Sequence, residues 1–164
     1  LMTETDVRIT LMILAESVAA RLREQELQAS VISISCRDNQ LASFTRQRKI
    51  NQPTHLSTVI LDVAFELYKA NYDLRLHNPI RSLGIRASGL SSIYAPRQLS
   101  VFDEGYHTYA SLQKQDDLEH ALDALRKRYG NFIVRRGILL TDQKLANLDP
   151  KKDHTVHPIG YLVK

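Results

Sequence analysis

The sequence has one cysteine in 164 residues, which excludes an internal disulfide. Cys36 follows Ile32 and Ile34 at alternate positions and reads as a small buried hydrophobe. No apolar run approaches the roughly 20 residues that span a bilayer, and no signal-peptide pattern opens the chain. A cytoplasmic setting without a membrane partner is therefore expected. Also lacking are a phosphate-cradling glycine loop of the Walker type and a strand-turn-helix nucleophile elbow. His55, His77, His107, His120, His154 and His157 show no metal-ligand spacing along the chain. The reading is of a non-catalytic stretch, with no catalytic residue, no metal and no cofactor of its own.

What is present bounds the fold. With 43% apolar and 24% charged residues the chain is globular, and its length suits one ordinary core, or a domain of about 100 residues with an appendage. The net charge is +4, and its distribution says more than its total. Acidic residues are absent from 39–61 and from 74–101. The same stretches carry Arg46, Arg48 and Lys49, then Arg75, Arg81, Arg86 and Arg97. That segregation is the electrostatic footprint of a phosphate-binding face.

Hydrophobic periodicity sets the order of elements. Val7, Leu11, Leu14, Val18 and Leu22 predict a helix over 6–24 with Asp6 as N-cap. Opening so abruptly on a helix is read as the mark of an excised fragment. The period then changes to two, predicting a strand over 28–37 with Ser33, Ser35 and Arg37 on its polar side. Asp38, Asn39 and Gln40 supply turn chemistry, and residues 42–50 return as a second strand that Pro53 ends. The polar face of this hairpin is assigned small hydroxyls with Arg37, Arg46 and Arg48, although strict alternation puts Arg46 beside Phe44 unless a bulge intervenes. A second helix is predicted over 56–72, with Thr54 or Ser57 as cap, and a third strand over 80–88. In that strand Ser82, Gly84 and Arg86 share the polar side. Gly84 either lets another backbone or a phosphate approach or marks a bulge. Scarce aromatics argue against stacking on single-stranded bases.

The order helix, strand, strand, helix, strand predicts an α+β fold. It is a split βαβ (ferredoxin-like) sheet with two helices on one face, whose first strand would lie before Leu1. Beyond it, 92–115 reads as a linker. Residues 116–164 read as a small C-terminal α/β appendage with a tail: a helix over 116–129 that starts at Asp116 and Asp117 and is capped by Gly130, then a strand over 132–140.

Within the linker, Gln98, Leu99, Ser100, Val101 and Phe102 have the form Gln-Leu-(Ser/Asp)-aliphatic-Phe, which resembles the short peptide that bacterial polymerases and repair proteins insert into their ring-shaped sliding clamp. Several stretches together with QLSVF resemble the C-terminal part of Y-family lesion-bypass DNA polymerases. They are Ala19-Ala20-Arg21-Leu22-Arg23, Thr45-Arg46-Gln47-Arg48 and Ile80-Arg81-Ser82-Leu83-Gly84-Ile85-Arg86. LDALRKRYGNFIVRRGILL is similar to the end of their UmuC-like (ImpB/MucB/SamB) branch in Gram-positive bacteria. The resemblance implies that residues 1–91 are the little finger, or polymerase-associated, domain, which grips primer-template double-stranded DNA. The DNA-binding candidates are Arg37, Thr45, Arg46, Arg48, Lys49, Arg81, Ser82 and Arg86. It also implies a sliding-clamp partner for QLSVF and a parent chain whose palm and fingers domains would hold Mg²⁺ on their own carboxylates. The rival reading is a free-standing protein-protein adaptor whose basic residues only keep it in solution.

Overall fold

The computed structural model describes residues 1, 3–74, 78–95, 106–141 and 147, with 106–110 described by backbone alone. Helix α1 (Glu4–Glu24) is followed by strands β1 (Leu27–Asp38) and β2 (Ser43–Thr54), helix α2 (Ser57–Asn71), strand β3 (Ile80–Ser92) and helix α3 (Tyr106–Tyr129). A short 3-10 helix over Gly137–Thr141 comes last. None of the described helices is long and apolar enough to cross a membrane.

The sheet order is β2-β1-β3, and β1 runs antiparallel to both neighbours. Strands β2 and β3, joined through α2, therefore run parallel with β1 between them, which is the split βαβ arrangement of a ferredoxin-like fold. On the outer side of β3, Leu1 exchanges both backbone hydrogen bonds with Ile80.

The core lies between one face of this sheet and the two helices. Val7, Ile9, Leu11, Ala15 and Ala19 of α1 meet Ile60, Ala64 and Leu67 of α2 over Ile32, Ile34, Cys36 and Ile80. Each isoleucine so buried contributes roughly 1.5–3 kcal/mol. The buried side of α1 is broader than the predicted stripe, because Leu14 and Val18 are only half-buried while the small Ala15 and Ala19 let the partner elements come close. Its cap is Thr3 and not Asp6: Thr3 Oγ1 accepts from the Asp6 amide and the Asp6 carboxylate accepts from the Thr3 amide, a closed capping box.

Helix α2 begins differently. Leu56 stands at its N-cap and has no side-chain oxygen to offer. The cap comes from α3 instead: the Glu119 carboxylate accepts from the Ser57 amide at 2.9 Å and from Ser57 Oγ at 2.6 Å. Buried Glu119 also pairs with Arg23 at the end of α1, and Asp123 takes the Arg23 Nε at 2.7 Å. Burial opposes the Arg23 charge, but these two carboxylates outweigh it and raise its pKa.

This network explains where α3 departs from its sequence reading. The helix starts ten residues before Asp116, so Asp116 and Asp117 are not its first-turn acids. Its docked side is polar: Asp116 reaches His55, Glu119 and Asp123 hold Arg23, and Arg126 pairs with Glu16 of α1 at 2.9 Å. The apolar residues Leu118, Leu125 and Tyr129, which share another side of the helix, are exposed. Gly130 ends the helix as expected, at φ +99 with its amide on the Arg126 carbonyl. The strand predicted over 132–140 is not formed. Arg136 is drawn to Glu16 at 2.6 Å and Arg135 folds over the Phe132 ring, which carries this segment across the helices and away from any sheet edge.

Candidate functional site

The face of the sheet opposite the helices is built by register. Arg37 stands between Ser43 and Ser82, Ser35 between Thr45 and Gly84, Ser33 between Gln47 and Arg86, and Val31 between Lys49 and Ser88. The alternate residues Ile32, Ile34 and Cys36 are buried against the helices, so parity places this whole set on the other side. Arg37, Ser43, Thr45, Gln47, Lys49, Ser82 and Arg86 are all exposed.

Two features make this face suited to an extended anion. Arg37, Lys49 and Arg86 make no ion pair or side-chain hydrogen bond among the described residues, so their charges are available. Around them lie hydroxyls short enough to let a backbone come close and donate to it. Gly84 keeps the middle low, since a Cβ there would stand 2.5 Å from Ser35 Oγ. Its pairing with Ser35 is regular, which favours the close-approach reading over the bulge. The bulge falls elsewhere: Arg37 pairs with Ser82 but Asp38 with Ile80, leaving Arg81 as the extra, exposed residue.

The structure separates the arginines that the sequence reading grouped. Arg46 and Arg48 share the parity of Phe44, which packs on the core, and lie on the helix side of β2. Arg46 donates to Asn71 Oδ1 at 2.9 Å and lies over the Phe44 ring, while Arg48 pairs with Glu66 of α2. No bulge intervenes between Phe44 and Lys49, so alternation runs its course. Of the predicted site residues, Arg37, Thr45, Lys49, Ser82 and Arg86 come together on one face; Arg46 and Arg48 do not, and Arg81 stands at the bulge. Ser33, Ser35, Ser43, Gln47 and Ser88 complete the face. Gln47 could have been found from parity, because it sits an odd step from Phe44, as the predicted Lys49 does. The peptide 98–102 lies outside the described residues.

Cys36 offers no chemistry to either side. It is buried on the core face, where burial and then the Asp38 charge push its thiol up to about 11.

Residues 1–101 match the pattern of the impB/mucB/samB family C-terminal domain. A protein named DNA polymerase IV from Acetivibrio thermocellus is 32% identical over 143 residues, covering 87% of this chain and 34% of that protein. Another of that name from Clostridium kluyveri is also 32% identical, over 84% of this chain and 34% of its own length. DNA polymerase IV 2 of Bacillus subtilis is 28% identical over 84% of this chain and 32% of its own. The chain thus spans about a third of the length of the curated relatives it matches.

Proposed function

Through residues 1–101 the chain belongs to the impB/mucB/samB C-terminal domain family, and we propose that its open sheet face grips the backbone of primer-template double-stranded DNA for a Y-family polymerase. The observation that carries the reading is the row of exposed Arg37, Lys49 and Arg86 among serines and threonines, without ion-pair partners among the described residues. The action is positional. Contacts to phosphate fix register and orientation without reading sequence, so the polymerase can stay at a damaged or mispaired terminus. Nucleotidyl transfer, with Mg²⁺ on converging carboxylates, belongs in this reading to palm and fingers domains of a longer chain. The peptide Gln98 to Phe102 would then tether the assembly to the sliding clamp, with Leu99 and Phe102 as the buried anchors.

Fluorescence anisotropy with a labelled primer-template tests the grip. Arg37→Glu with Arg86→Glu should abolish measurable binding by the full chain, whereas Arg46→Glu should leave most of it. Equal loss in the two variants, or no loss in the first, refutes the assignment of the face. Capture on immobilised sliding clamp should be lost in Leu99→Ala with Phe102→Ala while DNA affinity is unchanged; retained capture removes the tether from the proposal.

A further inference from the structure

We propose that His55, Asp116 and His120 form a transition-metal site that fastens α3 to the corner between β2 and α2. One ligand atom from each residue lies within 4.8 Å of the other two. Asp116 Oδ1 is 2.7 Å from His55 Nε2 and 3.5 Å from His120 Nε2. Metal-ligand bonds of about 2.1 Å put tetrahedral ligands about 3.4 Å apart, so a bound Zn²⁺ would keep the His120–Asp116 spacing and open the His55–Asp116 contact by about 0.7 Å. Two imidazoles and a carboxylate are a borderline nitrogen and oxygen set, which suits Zn²⁺ and its Co²⁺ surrogate and disfavours the all-oxygen preference of Mg²⁺ and Ca²⁺.

The three ligands are held by different means. Asp116 and His120 are one turn apart on α3 and so project from one side of it. His55 is fixed at the start of α2, where its carbonyl accepts from Arg23 Nη1 at 2.9 Å and the Leu56 amide beside it is taken by Thr54 Oγ1. Its ring is mostly buried, with Nδ1 enclosed and unpartnered among the described residues. A metal on Nε2 would fix the tautomer that keeps the proton on Nδ1. The His120 side chain is more than half exposed and can swing inward to close the set, leaving the fourth position to water. A cleft lined by His55, Tyr94, Leu112 and Asp116 opens beside the cluster and gives solvent and the ion a route in. The site joins segments 61 residues apart, and its helix begins just after the stretch that carries the QLSVF peptide.

The test is titration of the chelator-stripped full chain with Co²⁺, followed by displacement with Zn²⁺. The expected result is one ion per chain, visible ligand-field absorption of a low-coordinate Co²⁺ centre, and a rise in melting temperature on Zn²⁺ addition that EDTA reverses. His120→Ala should weaken binding at least tenfold with the circular dichroism spectrum unchanged, since that side chain is solvent-facing, and Asp116→Asn should do the same. His154→Ala with His157→Ala should bind as the parent does. Absence of stoichiometric binding, or binding that survives His120→Ala and is lost with the C-terminal histidines, overturns the assignment.

Discussion

The salt dependence of DNA binding distinguishes the face seen in the structure from the arginine set suggested by sequence. Each phosphate neutralised on duplex DNA adds about −0.9 to the slope of log K against log salt. Arg37 and Arg86 are four residues apart along the strand direction, about 14 Å, which exceeds the Debye length of roughly 8–10 Å at physiological salt. Lys49 stands two residues further along and on the other edge strand. The three cations therefore act on separate phosphates and nearly independently. Three such contacts give a slope of about −2.7, or about 40-fold weaker binding between 50 and 200 mM salt. If Arg46 and Arg48 also gripped DNA, the slope would be about −4.5 and the loss about 500-fold. Arg86→Ala should bring the slope to about −1.8. Arg46→Ala should leave it unchanged, because that guanidinium is engaged by Asn71 and Phe44. The assay is anisotropy of a labelled primer-template over a salt series for the parent and both variants. A parent slope steeper than about −4, or an Arg46→Ala effect equal to that of Arg86→Ala, would refute the reasoning.

Two further outcomes concern stability. Glu119→Gln leaves Arg23 buried without its closest counter-charge and weakens the cap of α2, so a loss of about 3 kcal/mol is expected in urea denaturation, with α3 amides exchanging faster than those of β1; exchange unchanged in α3 would count against the docking network. Cys36 carries a folded-state pKa about two units above its ordinary value of 9.0, so the folded protein holds that proton after the unfolded chain has lost it. Stability should therefore be intact below pH 9 and fall by up to about 2–3 kcal/mol as pH rises to 11, with the part due to Cys36 absent in Cys36→Ala. Thiol reagents should find the cysteine inert in the native chain at pH 8 and reactive once it is unfolded.

Much of the sheet was legible because one physical rule governs it. Alternation in Ile32, Ser33, Ile34, Ser35 and Cys36 names the buried side of β1, and Ser82, Gly84 and Arg86 name the open side of β3. The same rule, applied from Phe44, already puts Arg46 and Arg48 with the core; grouping them with Arg37 followed charge where parity should have ruled. Helix α3 was harder to read. Tyr106, His107, Thr108 and Tyr109 are indifferent helix formers, so its first turns carry little signal. Its stripe of leucines points outward because the helix is anchored by ionic contacts, and periodicity cannot report which side of an amphipathic helix is docked. The His55, Asp116 and His120 cluster is likewise invisible to spacing rules, since only the fold brings position 55 to position 116.

One consequence of the borrowed cap on α2 reaches the boundary of the domain itself. The match to the family's domain pattern stops at residue 101, yet the first turn of α2 is completed by a carboxylate eighteen positions beyond that limit. A polypeptide cut at the end of the matched region would keep the three described strands and both core helices and still lack the acceptor that closes one of them. The stretch that the domain pattern delimits and the stretch that closes its own helix ends are therefore of different lengths, and dissection of this protein should follow the second.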